Sequence, residues 1–350
     1  MRARESGLIL PDGGPAPEDT FVSGTPSVAQ TMTSYLEAVA LSRSANTART
    51  YRQGLQAFRR SLHGAGFDAA TVEVGRVSED WIASFARDLK RRSPATERLY
   101  LTAASGWYEY LAAEQLVEVN LARVHLLIRQ RARRPGQRLP QFPRTAIEDV
   151  LSHSNEGLPS ADPLERLRHL RDRAFLMTLA DTGLRVHEAC RLQRGDIDWE
   201  EAQAVLIGKG NRQAVVRFSQ RSLRALREYL KARASLDGAS GRALSALPVF
   251  ARHDRGAGRK VLPITTTTGR TIVHEAVAAA LGQEAVGTIT PHSFRHYFVT
   301  TVLRGSGGNL KLAQELARHR NIAVTQRYAH LSDDELDRGY HEVFDSGDER

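Results

Sequence analysis

Residues 133–144 limit the possible folds of this chain more than any other segment. They contain three prolines, four arginines and no acidic residue. Proline lacks a backbone N–H and its ring clashes with the preceding helical turn, so a packed helix cannot pass through this segment. A chain of 350 residues is also long enough for two domains. We therefore interpret residues 133–144 as a basic linker between residues 28–132 and 145–350.

The residues before the linker are predicted to form a helical domain. Apolar residues recur three and four positions apart in four stretches, a pattern typical of amphipathic helices. These stretches are residues 28–41, 45–62, 78–91 and 95–114. We expect four or five helices, with Trp81, Trp107 and Tyr110 in their core. Residues 1–27 contain four prolines and lack this periodicity, and we interpret them as a mobile tail.

The residues after the linker combine helical and strand patterns. Helices are predicted over residues 163–181, 186–192, 222–234, 270–281 and most of 291–344. Two short runs rich in valine, Ala204–Ile207 and Ala214–Phe218, are predicted strands joined by the glycine-containing turn 208–212. The fold class expected for the chain is therefore mainly α, with a small β-sheet in its second domain.

Charge and cysteine content restrict the possible partners. The net charge is +9 and the sequence pI is near 10.0, which favours a polyanionic partner such as nucleic acid. Cys190 is the only cysteine, so no disulfide can form within the chain. No apolar run is long enough to span a membrane. A soluble cytoplasmic protein is the expectation.

Residues 290–296, Thr-Pro-His-Ser-Phe-Arg-His, carry a candidate polar cluster. Threonine and proline are suited to the start of a helix, and the helical period places His292, Arg295 and His296 on the side opposite Phe294. An ordinary solvated face is the alternative explanation. A metal site is disfavoured because no HExxH motif occurs and a guanidinium between the two histidines would repel a cation. We expect no metal and no other cofactor.

Three further residues have ordinary explanations when each is taken alone. Arg185 follows the turn Thr182-Gly183-Leu184, where an arginine can be held rigidly or can simply end a helix. Lys209 lies between two glycines at the predicted hairpin tip, where lysines are usually just exposed. Tyr328 follows His319 by nine residues and could be a half-buried packing residue.

The order of these residues resembles the tyrosine recombinase family, which includes phage integrases and bacterial Xer-type recombinases. The resemblance lies in residues 170–198, 208–210, 291–300 and 315–331, scattered over about half of the chain. It implies a helical, SAM-like core-binding domain at 28–132 and an α+β catalytic domain at 145–350. One departure is Arg318, since the family usually has Leu-Gly-His where this chain has Leu316-Ala317-Arg318-His319.

The resemblance also implies the roles of the site residues. The catalytic set is Arg185, Lys209, His292, Arg295, His319 and Tyr328, with Glu188 and His296 in supporting positions. The two arginines would bind the non-bridging phosphate oxygens and Tyr328 would attack phosphorus. Lys209 would protonate the leaving 5′ oxygen, while His292 acts as base or donor and His319 as donor. Glu188 would orient Arg185 or His292. Because a phosphotyrosine conserves the bond energy, neither ATP nor metal is required.

The expected substrate is double-stranded DNA that contains specific recombination sites. Predicted DNA contacts are Arg133, Arg134, Arg138, Arg144 and Arg212. Residues 331–344 place Leu336, Tyr340 and Phe344 on one helical side. This helix would dock on a neighbouring protomer in a tetramer with two protomers per site, or else fold back on its own domain. A type IB topoisomerase and a DNA-binding regulator that never cuts are the alternative functions.

Overall fold

The computed structural model describes residues 25–133, 144–156, 161–207, 213–254, 256, 260–319 and 321–326. The chain divides into two compact units, Met1–Gln137 and Arg138–Arg350. The division falls within the segment predicted as a linker, although residues 134–143 themselves lie outside the described residues. The same holds for residues 1–24 of the predicted tail and for the predicted helix 331–344.

The first unit is built from helices, as the apolar spacing predicts. Its helices are α1 Val28–Ser42, α2 Ala45–Gly64, α3 Asp80–Asp88, α4 Pro94–Ala113 and α5 Leu121–Arg131, with short 3-10 turns at Val74–Arg76 and Leu89–Arg91. Side chains of Ser44, Ser93 and Asn120 accept hydrogen bonds from the first turns of α2, α4 and α5. Each of these three helices therefore begins where a capping residue satisfies an otherwise unpaired backbone N–H.

Aromatic side chains fill the core of this unit. Trp81 and Trp107 are buried, as predicted, and Phe58 packs against Trp107 with ring centroids 5.9 Å apart. Tyr110 is only half-buried at the edge of this core, whereas the adjacent Tyr108 is fully buried. The hydroxyl of Tyr108 donates to the carbonyl oxygen of Ser78, which makes its burial possible.

The second unit contains nine α-helices, three short 3-10 turns and three strands among its described residues. The helices are α6 Arg144–Asn155, α7 Pro163–Thr182, α8 Val186–Arg191, α9 Gln220–Ala232, α10 Ala234–Gly238, α11 Thr266–Leu281, α12 Pro291–Gly305, α13 Leu310–Ala317 and α14 Ile322–Gln326. The strands β1 Ile197–Asp198, β2 Gln203–Ile207 and β3 Gln213–Arg217 form an antiparallel sheet in that order. Val205 pairs with Val215 in the predicted hairpin.

The helix α7 lies at the centre of the second unit. It packs against α6, α9 and α12, and every residue from Ala174 to Ala180 is buried. A helix buried on all sides keeps a fixed position, since its neighbours hold it from several directions. Its C-terminal end is therefore a rigid support for the residues that follow it. Among the described residues of the chain, no helix is both long and apolar enough to cross a membrane.

Candidate active site

The turn after α7 positions Arg185. Gly183 ends the helix in the left-handed conformation, with φ 60° and ψ 22°, and Arg185 then occupies the N-cap position of α8. Glu188, three residues later, accepts hydrogen bonds from the Arg185 backbone N–H at 2.8 Å and from its Nη1 at 2.9 Å. The side chain of Arg185 is 47% exposed. Its guanidinium is thus oriented by a carboxylate yet accessible to a ligand.

Gly183→Ala is expected to destabilise the second unit by about 2–5 kcal/mol. The left-handed conformation costs a residue with a Cβ about 1–2 kcal/mol, and overpacking adds about 1–3 kcal/mol. A Cβ at this position would lie 2.4 Å from Cδ1 of Phe298. Urea unfolding measures the change in the free energy of unfolding. Gly305→Ala is the matched control, because a Cβ at Gly305 meets no atom within 4 Å. Equal stabilities of the two variants would contradict this account.

Arg295 connects three segments of the second unit. It extends from α12, is only 4% exposed, and donates from Nη1 to the carbonyl oxygen of Gly183 at 2.5 Å. Its Nη2 donates to the carbonyl oxygen of Ala317 at the end of α13. Arg185 lies two residues after the first carbonyl and His319 two residues after the second. The Arg295 guanidinium therefore brings the segments that carry these two predicted site residues together.

Most of the polar side of α12 is buried, so the alternative of a solvated face is wrong for Arg295 and His296, whereas His292 in the first turn is exposed. His296 is 6% exposed, and Val299 on the same side is fully buried. The reason is that α13 covers this side: Val299 and Leu303 form a small apolar cluster with Ala313 and Ala317. The helix begins as predicted, with Thr290 and Ser293 forming a capping box before and after Pro291.

Three histidines lie close to the guanidiniums of Arg185 and Arg295. The rings of His292 and His296 have centroids 4.2 Å apart, and Nδ1 of His319 lies 2.9 Å from Oγ1 of Thr325. Burial, together with the neighbouring positive charges, lowers the pKa of all three imidazoles. The pKa of His296 falls to about 3 and that of His319 to about 4. Both rings are therefore neutral at pH 7.

The low pKa of His296 makes stability depend on pH. An unfolded histidine binds a proton near pH 6.5, whereas folded His296 stays neutral down to about pH 3. Between these values the unfolded state binds more protons, so acidification destabilises the fold. From pH 6.5 to pH 5, wild type should lose about 2 kcal/mol more unfolding free energy than His296→Leu. Chemical unfolding at both pH values tests this. Equal losses in the two proteins would show that His296 takes up its proton in the folded state as well.

Arg318, where the family usually has glycine, adopts the left-handed conformation that a glycine would adopt. Its φ is 56° and its ψ is 45°, so the turn after α13 is kept. Its sequence context shows only a departure from the family pattern. The structure places its Nη2 3.1 Å from Oε2 of Glu188. Glu188 thus contacts both Arg185 and Arg318.

The predicted DNA-contacting residue Arg133 makes contacts within the first unit. Its Nε donates to Oε2 of Glu97 at 2.5 Å, and its backbone N–H donates to Oε1 at 2.9 Å. Glu97 is 1% exposed and also pairs with Lys90 at 2.7 Å. Burial of this carboxylate requires such partners. Arg133 therefore links the C-terminal end of α5 to α4. Its assignment to DNA binding stays a prediction.

The other predicted site residues lie wholly or partly outside the described part of the chain. These are Lys209, Arg134, Arg138, Arg212 and Tyr328, together with the side chain of Arg144 at the start of α6. Tyr328 is two residues beyond α14, which packs against α13. Among the described residues, no three histidine, cysteine, aspartate or glutamate side chains are grouped as metal ligands would be.

The chain is similar to known recombinases in sequence and in fold. Residues 145–335 match the model of the phage integrase family. Tyrosine recombinase XerD of Mycobacterium tuberculosis is 30% identical over 84% of this chain and 90% of its own length. Tyrosine recombinase XerC of Pediococcus pentosaceus is 28% identical over 86% and 92%.

Two solved structures share the fold over nearly the whole chain. The XerH site-specific recombinase, in a post-cleavage complex with a palindromic difH substrate, has a TM-score of 0.65 and 20% identity over 90% of this chain and 84% of that one. The integrase of transposon Tn1549, in complex with a circular-intermediate DNA, has a TM-score of 0.62 and 18% identity over 91% and 99%. The family match and the XerD relative together show that this chain belongs to the phage integrase family of tyrosine recombinases.

Proposed function

We propose that this site-specific DNA recombinase cleaves and rejoins DNA through a covalent 3′-phosphotyrosyl bond to Tyr328. The observation that carries the proposal is the anchoring of Arg185 and Arg295 at one turn. Arg185 follows Gly183 and is oriented by Glu188, while Arg295 donates to the Gly183 carbonyl oxygen. Two guanidiniums held around one rigid turn suit the non-bridging oxygens of a single phosphodiester.

The chemistry assigned to the arginines is electrostatic. A phosphodiester repels nucleophiles, and its transition state carries more negative charge on the non-bridging oxygens. Guanidiniums that contact the phosphate before the chemical step stabilise this charge without having to reorient during that step. Arg185 is exposed enough to meet a phosphate, whereas Arg295 also maintains the turn through its two carbonyl contacts.

The histidines are suited to proton transfer because they are neutral. Burial and the charges of Arg295 and Arg185 lower the pKa of His292, so its imidazole can accept the phenol proton of Tyr328 during attack. His319 differs because one ring nitrogen faces Thr325. In the tautomer whose Nδ1 accepts from the threonine hydroxyl, Nε2 carries the proton and can donate to a phosphate oxygen.

The division of the chain suggests how DNA is held. We propose that residues 28–132 are the core-binding domain, 133–144 a basic linker and 145–350 the catalytic domain with a docking helix at its end. The XerH and Tn1549 integrase structures contain DNA, and the λ integrase structure is a dimer bound to a COC′ core site. By analogy, this chain would act on double-stranded DNA as a tetramer with two protomers per site, in the cytoplasm.

Covalent trapping of DNA tests the proposal. Wild-type protein is incubated with fragmented genomic DNA, and the DNA that stays attached after denaturation is sequenced to find the site. A nicked duplex of that site should then trap the protein, because the severed product diffuses away before ligation. Two DNA molecules that carry the site should also exchange strands. Relaxation without exchange would favour a topoisomerase, and binding without trapping would favour a regulator.

Lys209→Ala is expected to slow cleavage by about 10²–10⁴-fold while sparing DNA binding, as loss of a general acid does. The proposed reason is that Lys209 protonates the leaving 5′ oxygen. A substrate with sulfur at the 5′ bridging position should restore the rate, because a thiolate leaves without a proton. Single-turnover cleavage of both substrates measures the rescue. An equal defect on the two substrates would assign the acid role to another residue.

A further inference from the structure

Arg318 adopts a backbone conformation that is unfavourable for an arginine. It ends α13 with φ 56°, in the left-handed region where glycine is favoured and a Cβ is strained. A glycine would make the same turn without that strain. The local backbone therefore gives no reason for an arginine at this position, and the reason has to lie in what its side chain contacts.

The Arg318 side chain reaches back into the site. It is only 13% exposed, and its Nη2 lies 3.1 Å from Oε2 of Glu188. The same carboxylate accepts the backbone N–H of Arg185 on Oε2 and the Arg185 Nη1 on Oε1. One carboxylate thus lies between two guanidiniums that come from the start of α8 and the end of α13.

Glu188 is the main polar contact of Arg318 in the described part of the chain. The Nε and Nη1 atoms of Arg318 are buried and have no hydrogen-bond partner among the described residues. The dependence is mutual. Burial raises the pKa of Glu188, but its neighbours hold that pKa below its usual range: the charge of Arg318 is the largest single lowering cause, and the hydrogen bonds and charge of Arg185 follow. Arg318 is therefore the principal counter-charge of this carboxylate.

We propose that Arg318 is a positioning residue for strand cleavage, which holds Glu188 so that Arg185 can turn its guanidinium from Glu188 to the scissile phosphate. This inference rests on the proposed function. Without Arg318, a move of the Arg185 side chain toward phosphate would leave a largely buried carboxylate without a cationic partner, which is costly. With Arg318 present, Glu188 keeps a partner while the side chain of Arg185 shifts.

Arg318→Gly and Arg318→Asn test this role without disturbing the turn. Both residues tolerate the left-handed conformation, and neither carries a charge. Cleavage of a saturating nicked substrate should be about 10–100-fold slower for both, as expected for a misplaced catalytic group. DNA affinity should be unchanged, and the Tm should equal or exceed that of wild type because the strain is relieved. Arg318→Lys, which keeps the charge, should recover part of the rate.

A double-mutant cycle with Glu188→Gln identifies the route of the effect. If Arg318 acts through the carboxylate, Arg318→Gly should change the rate of the Glu188→Gln protein less than about threefold, because the partner is already lost. If Arg318→Gly slowed cleavage by the Glu188→Gln protein as much as it slows the wild type, the proposal would be overturned. A wild-type cleavage rate for both Arg318→Gly and Arg318→Asn would also overturn it. A rate loss that followed a lower Tm and was not rescued by lysine would also overturn it. If wild type itself traps no DNA, the proposed function fails first, so the two failures are distinct.

Discussion

Tyr328→Phe is expected to abolish covalent attachment of the protein to DNA while leaving folding and DNA affinity nearly unchanged. The substitution removes one oxygen atom, so the ring can pack as before and little stability should be lost. The lost atom is the proposed nucleophile, and no other group of that side chain can attack phosphorus. The measurement is the shifted band of a protein–DNA adduct on a denaturing gel, with a nicked substrate that prevents religation.

Two other tyrosines near the end of the chain serve as controls. Tyr297 is buried on α12 with its hydroxyl 3.4 Å from Oε1 of Glu148, and Tyr340 lies outside the described residues. Replacing either one by phenylalanine should leave adduct formation intact. If the Tyr328→Phe protein still formed an adduct, another residue would be the nucleophile. A loss of the adduct in the Tyr297→Phe or the Tyr340→Phe protein would then identify that residue.

Arg185→Lys is expected to reduce the cleavage rate by about 10²–10³-fold, the loss typical when one preorganised donor to a developing negative charge is removed. A lysine keeps the charge but cannot reproduce the planar fork that binds two phosphate oxygens at once. The folded state should be affected little, because the Arg185 side chain is about half exposed. Single-turnover cleavage at saturating DNA measures the effect separately from binding.

Arg191→Lys is the matched control for this substitution. Arg191 lies on the same short helix and is exposed. The Arg191→Lys protein should cleave DNA at the wild-type rate. Arg295→Lys is a less clean test, since a single ammonium would lose one of the two carbonyl contacts that hold the Gly183 and Ala317 segments together. We expect it to lower both stability and activity. A wild-type rate for Arg185→Lys would remove Arg185 from the phosphate site.

The sequence by itself determined most of the helical elements, several turns and most of the candidate residues, although it predicted neither α6 nor α10. The apolar spacing of residues 45–62 predicted α2, and Thr182-Gly183 predicted the end of α7. These features are local: a helical period or a left-handed glycine depends on residues a few positions apart. The small strand β1 was not predicted, because two residues carry no periodic signal and pair only when β2 lies beside them. The order of Arg185, His292, Arg295 and His319 is not local, and it indicated a site through its resemblance to the tyrosine recombinase family.

Only the tertiary structure decided which of these residues are buried, which charges lie beside them and which groups they bind. The period of α12 separated a polar side from an apolar one, but it could not show that α13 covers the polar side and buries His296. The carbonyls that Arg295 binds lie 112 and 22 positions away along the chain. Arg318 lies 130 positions from Glu188, and nothing in its own neighbourhood indicates that contact. Local sequence sets which side chains are available, whereas their pKa values and partners depend on which distant segments pack against them.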